Sequence, residues 1–403
     1  MRPTRPAKWF LPLALASVLT MSACSNDDSG DDSSGSSDSG GGLGASGGGE
    51  TYKIAFQGPL SGDNAQLGIN EVNGAELAVN QANESGDLDF TIELLKADDQ
   101  GDPAVAPTAA AQVLQDEAVL GVVGPAFSGP TNAVAPSYGD AGLAMITPSA
   151  TRTSLSSSGF PTFHRGVPSD ALEGAQLAEY LANQDYTKVL VIDDLSDYGK
   201  GVADIVQPAL EQAGVEVQRL SVSDDTTDYG ATAQTAVSSG AQALFYGGYD
   251  AQAALLAQAL DAAGFQGDKY GGNGVKSTAF TEGAGASGDG WFFSCGCADA
   301  TTLPAAQDFA AAYQDAYGEP PSTYSAEAYD ATNGLIEAIK AAAEDGEPTR
   351  ASVEDAVNNL DYDGITTTLA FDENGELTAE SQEVNLFTQE NGEIKIVGNF
   401  KDL

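Results

Sequence analysis

Basic residues are scarce in this chain of 403 residues: 16 Lys and Arg stand against 59 Asp and Glu, a formal charge of −43. Phosphate backbones are gripped by clustered Lys and Arg, and no such cluster occurs, which argues against nucleic acid as a partner. The acidity describes a solvated, self-repelling surface and carries no information on fold. Histidine occurs once, at His164. A catalytic reading must use it as the base, and beside an arginine in Phe163-His-Arg165 it reads as structural. Neither a Gly-x-Ser-x-Gly elbow nor a Ser-x-x-Lys pattern is present. Gly199-Lys-Gly201 and Gly274-Val-Lys-Ser277 fail the phosphate-loop spacing, and the acids of Asp372–Glu376 fail the calcium-loop spacing. Cysteine occurs three times, at Cys24, Cys295 and Cys297. The last two have only Asp299 near them, too few ligands for a metal or redox centre. No cofactor and no metal is expected.

The N-terminus is where apolar residues gather. Arg2, Arg5 and Lys8 precede the run Trp9–Val18, followed by Leu19-Thr-Met-Ser-Ala-Cys24. A basic segment and a short apolar one read as an export signal over residues 1–23, too short to span a bilayer. Met21-Ser-Ala-Cys24 resembles the lipobox of bacterial lipoproteins, which implies acylation of Cys24. Residues 24–50, nearly all Ser, Gly, Asp and Asn, cannot bury a core and read as a disordered tether reaching roughly 25–30 Å. A domain would hang just clear of the membrane. In that exported, oxidising setting a tight structural Cys295–Cys297 disulfide is plausible.

From Thr51 onward, short β-rich runs alternate with Ala-rich helical stretches, the pattern of parallel sheets with crossover helices. Strands are expected at Tyr52–Phe56, Thr91–Lys96, Leu120–Val123, Ala144–Ile146, Lys188–Ile192, Val215–Leu220, Ala243–Tyr246 and Trp291–Phe293. Helices are expected at Asn73–Asn83, Pro107–Gln115, Thr131–Asp140, Asp170–Asn183, Gly199–Ala213, Tyr229–Ser238, Ala251–Ala263, Ala305–Tyr317 and Ser325–Ala343. About 350 residues exceed one comfortable α/β core, so two lobes are expected. In such sheets ligands sit beyond the carboxyl ends of the strands, at helix N-termini. Ser128 and Thr151 follow adjacent strands and would offer hydroxyls and amides to an anionic group such as a carboxylate; the competing reading makes them an N-cap and a turn residue.

The runs Ile54-Ala-Phe-Gln-Gly-Pro-Leu-Ser-Gly62, Asn73-Gly-Ala75, Ala97-Asp-Asp99, Gly121-Val-Val-Gly124, Ile146-Thr-Pro-Ser-Ala-Thr151, Phe163-His-Arg165, Asp197-Tyr-Gly199, Tyr246-Gly-Gly-Tyr249 and Tyr329-Asp330 together resemble the branched-chain amino-acid (leucine/isoleucine/valine) binding proteins of ABC importers. The resemblance covers essentially residues 51–400. It implies an α/β, type I periplasmic-binding-protein fold, two Rossmann-like lobes joined by three crossovers, with 51–166 and 297–365 in one lobe and 167–296 and 366–403 in the other. It also implies that Ser128, Ala150 and Thr151 hold the ligand carboxylate and part of its ammonium, and that Tyr198 and Tyr249 close from the second lobe. Tyr198 and Tyr249 read alternatively as local packing at strand ends. Two positions depart from the family: Asn273 stands where an acid faces the ammonium, and Leu67 where an aromatic ring is frequent. Either Asp250 or Glu327 takes over the pairing with an ammonium, or the ligand is an amide or another solute without a cationic group.

The resulting expectation is a non-enzymatic, monomeric, lipid-anchored protein at the outer face of the cytoplasmic membrane. It would deliver a small amino acid or related solute to ABC permease and ATPase subunits. The alternatives are a ligand-sensing receptor of the same fold, for an amide or other small carboxylate, and a lipid-anchored hydrolase.

Overall fold

The structure, a computed structural model, describes residues 49–378 and 382–403. The expected leader, Cys24 and nearly all of the tether lie outside the described residues. Strand β1 (Thr51–Gly58) is buried along most of its length, and β3 (Val119–Val123) along all of it. Burial on both faces is what a parallel sheet covered by helices requires. With β2 (Thr91–Asp98), β4 (Ala144–Thr147) and β5 (Phe163–Arg165) they form an all-parallel sheet in the order β2-β1-β3-β4-β5. Helices α1 (Ala65–Ser85), α2 (Ala106–Gln115), α3 (Ser128–Asp140) and the single turn α4 (Ser154–Ser157) connect the strands.

The chain then enters a second sheet. Its parallel strands are β6 (Lys188–Asp193), β7 (Glu216–Ser221), β8 (Ala243–Gly247), β9 (Asp268–Gly271) and β10 (Trp291–Cys295). Around them run α5 (Asp170–Ala182), α6 (Asp197–Gln212), α7 (Gly230–Ser239), α8 (Asp250–Ala263) and α9 (Thr278–Ala284). A second crossing carries α10 (Gln307–Tyr317), α11 (Ser325–Glu344) and α12 (Arg350–Asn358) back to the first sheet, where Leu335, Ile339, Val353 and Val357 join the core with Phe56 and Val123. The ribbon β11–β12 (Tyr362–Asp363, Thr368–Leu369) follows. The chain crosses a third time into an antiparallel hairpin, β13 (Asn385–Glu390) and β14 (Glu393–Asn399), at the edge of the second sheet. That sheet reads β14-β13-β10-β9-β8-β6-β7. Helix α1 packs on α11 so closely that a Cβ on Gly74 would sit 2.0 Å from the Ser325 carbonyl oxygen, which only glycine permits.

Several elements differ from the sequence expectation. Strands β5, β9, β11, β12, β13 and β14 are not among those the sequence predicts. The last two flank Asn391 and Gly392, both at positive φ (53° and 77°), the turn chemistry that closes tight hairpins. Helix α1 begins at Ala65 rather than Asn73, and α12 is additional. The latter starts at a box in which the Thr349 hydroxyl accepts from the Ser352 amide while the Ser352 hydroxyl accepts from the Thr349 amide.

Candidate functional site

In each sheet the strand order reverses once, between β1 and β3 and between β6 and β8, and such switch points open a crevice beyond the strands' carboxyl ends. The two crevices face each other. Leu67, Ala126, Phe127, Ser128 and Ser149 come from the loops and first helical turns after β1, β3 and β4. Tyr198, Tyr249, Asn273 and Gly274 come from the loops and first helical turns after β6, β8 and β9. With Tyr324 they line a tight cavity of about 10 Å³. Phe127 and Tyr249 stack across the cleft, ring centroids 4.2 Å apart and planes 19° from parallel. Arg152 pairs with Asp197, Asn132 Nδ2 donates to Asp197 at 3.3 Å, and the Ala251 amide donates to Asn64 Oδ1 at 3.3 Å, so the lobes are closed on one another.

One wall offers hydroxyls and a helix start. Ser128 opens α3, whose N-terminus meets the cavity, and its Oγ accepts from the Arg152 amide at 3.2 Å. Ser149 Oγ donates to the Ala126 carbonyl at 2.7 Å. The opposite wall is backed by a buried carboxylate. The Asn273 amide groups donate to Glu173, Nδ2 to Oε2 at 2.9 Å and the backbone N–H to Oε1 at 3.2 Å. Tyr198 is held by the Gly274 amide at 3.2 Å. A Cβ on Gly274 would come within 2.8 Å of both Tyr198 and the Gly248 carbonyl, so the loop approaches this closely only without a side chain.

Sequence reasoning missed two buried acids beside this cavity, Glu173 and Glu71. Each was marked by an acid on an apolar helical stripe, Glu173 with Leu177 and Leu181, Glu71 with Leu67 and Ala75. Burial raises the Glu173 carboxyl, against the hydrogen bonds from Asn273, Ser294 and Gly296. Burial likewise holds Glu71 well above the carboxylate range, opposed by the Ser149 hydroxyl. Asp170, in the first turn of α5, is pushed up to about 8 by burial and by Glu173, against the Thr151 hydroxyl and the more distant Arg165 and Arg152.

The comparisons with known proteins agree with this geometry. The periplasmic binding protein family matches residues 51–390. The chain belongs to the periplasmic binding protein family. A Brucella melitensis protein named Leu/Ile/Val-binding protein homolog 3 is 34% identical over 86% of this chain and 92% of its own length. A Pseudomonas aeruginosa leucine-, isoleucine-, valine-, threonine- and alanine-binding protein is 30% identical over 81% and 87%. Among solved structures, the Streptococcus pneumoniae branched-chain amino-acid transporter substrate-binding protein LivJ, in complex with isoleucine, superposes with a TM-score of 0.79 at 27% identity. It covers 87% of this chain and 100% of its own. The family's type I fold, two α/β lobes around a cleft, is the one described above.

Within this family member, the expected site residues divide. Leu67, Ser128, Tyr198, Tyr249 and Asn273 meet at the cavity. Ala150 and Thr151 lie on the loop behind Ser128: the Ala150 carbonyl accepts from Arg165 at 3.0 Å, and the Thr151 carbonyl from the Asp170 amide at 2.8 Å. Asp250 and Glu327, expected to replace the acid missing at position 273, are not among the residues lining that cavity. Asp250 accepts from the Ser277 hydroxyl at 2.6 Å in the first turn of α8. Glu327 accepts from the Ala298 amide at 2.7 Å and lines a separate cavity at the second crossover, with buried Lys276 nearby. The carboxylate that reaches Asn273 is Glu173, because α5 turns that face inward. Cys295 and Cys297 are bonded at the start of the second crossover. His164 is buried and shares a 3.3 Å hydrogen bond with Asn358, away from the cleft, and burial lowers its pKa. Among the described residues no helix is long and apolar enough to cross a membrane.

Proposed function

We propose that this protein captures a small amino acid of the branched-chain type between its lobes and delivers it to an ABC permease, held at the outer face of the membrane by a lipid on Cys24. The observation that carries this reading is the cavity itself. One wall presents hydroxyls and a helix N-terminus suited to a carboxylate, the other presents Asn273 with the Glu173 carboxylate behind it to an ammonium, and Leu67, Phe127 and Tyr249 supply apolar surface for an aliphatic side chain. The names of its relatives point the same way. We read binding as being without turnover, since His164, the histidine a hydrolase would use, is engaged with Asn358 and stands apart from the cleft. Calorimetry with L-leucine, L-isoleucine, L-valine, L-threonine and L-alanine tests the reading. Micromolar or tighter binding of the aliphatic members supports it, and no heat from any of them refutes it.

A further inference from the structure

Asn273 stands at the cleft, yet its amide NH2 points away from it, bonded to Glu173 at 2.9 Å. A carboxylate only accepts, so this contact settles the amide's orientation and leaves Oδ1, which makes no hydrogen bond among the described residues, as the atom available to the cavity. Glu173 is fully buried and receives two further bonds, from Ser294 Oγ at 2.8 Å and the Gly296 amide at 3.3 Å. Among the described residues no lysine or arginine forms an ion pair with it. Its other neighbours are acidic or phenolic: Asp170 on its own helix, Tyr198 and Tyr324 facing it. A buried carboxylate without a cation is costly, and hydrogen bonds alone offset only part of that cost.

We propose that Glu173 is the specificity-determining positioning residue of this cleft: acting through Asn273, it orients an acceptor towards the ligand and supplies the negative charge that selects a cationic nitrogen. This rests on the amino-acid reading above and deepens it, because the charge lies one residue behind the contact. Two consequences separate it from a simple charged contact. Asn273→Asp places a second carboxylate within about 3 Å of Glu173, where two like charges share a proton, and so weakens rather than improves binding of an ammonium. Moving the charge forward, Glu173→Gln with Asn273→Asp, restores it.

The test is calorimetry on the full chain with L-leucine and with 4-methylpentanoate, its analogue lacking the ammonium, on wild type, both single variants and the double variant. Glu173→Gln is expected to weaken leucine by about tenfold or more and to leave 4-methylpentanoate within about threefold. Asn273→Asp is expected to weaken leucine, and the double variant to regain most of the loss. If Glu173 only pins the loops after β9 and β10, both ligands weaken equally and the double variant regains nothing. That result overturns the inference. Should Glu173→Gln fail to fold, Asn273→Asp alone decides, since improved leucine binding refutes the proposal. Wild type that binds leucine while Glu173→Gln loses nothing sinks the inference and leaves the proposed function standing. Wild type that binds no amino acid sinks both.

Discussion

Asp170 allows a quantitative prediction, because its carboxyl is fully buried at the junction of the lobes and its pKa stands at about 8 against an ordinary 3.8. The folded protein therefore keeps a proton that the unfolded chain releases near pH 4. Stability falls wherever the native state binds more protons than the unfolded one. Hence the contribution of Asp170 is most favourable below pH 4, declines as pH rises from 4 to 8, and is constant above. At 1.36 kcal/mol per unit, the four-unit interval sets a ceiling of about 5 kcal/mol, and about 4 kcal/mol between pH 5 and pH 8. Asp170→Asn mimics the protonated form in shape and neutrality and cannot titrate. It should match wild type at pH 5 within about 1 kcal/mol and exceed it by a few kcal/mol at pH 8.5. Urea unfolding at half-unit pH intervals measures this directly, provided the slopes with denaturant agree. Parallel stability curves for the two proteins across pH 5–8.5 would refute the reasoning, since the proton would then sit elsewhere.

Further predictions address closure, the hinge and the anchor. Tyr249→Ala removes the ring stacked on Phe127; an aromatic pair contributes about 0.5–1.5 kcal/mol beyond area burial, so calorimetry should show ligand affinity lower by about tenfold, with Tyr249→Phe close to wild type. Arg165, fully buried, ties Glu376 to the Ala150 and Arg152 carbonyls, so Arg165→Ala should cost about 3–5 kcal/mol in chemical denaturation; a loss under 1 kcal/mol would show the cluster to be dispensable. Cys24→Ser should move the protein from the membrane to the soluble fraction of fractionated cells with ligand binding intact, and retention of the variant on the membrane would contradict the lipid anchor.

Much of the architecture was legible along the chain, because it rests on local regularities. Near-continuous apolar strands such as Leu120–Val123, Ala-rich helices between them, and small hydroxyl residues after β3 and β4 suffice to call a two-lobed α/β protein with its site at the strand ends. Those signals are short-ranged, so neighbouring residues carry them. The β13–β14 hairpin and α12 carry local marks as well, in Asn391-Gly392 and in Thr349 with Ser352.

The charge inventory of the cleft is another matter. Asn273 and Glu173 are 100 residues apart, and Asp250 and Glu327 are equally plausible partners on paper. Which acid reaches Asn273 depends on how α5 is rotated against the β9 and β10 loops, and that rotation follows from burying Leu177 and Leu181 in the second lobe's core. An acid on the same stripe is carried inward with them. Whether a carboxylate ends beside a ligand, a serine or a buried lysine is thus fixed by packing many residues distant, and only the tertiary structure decides it.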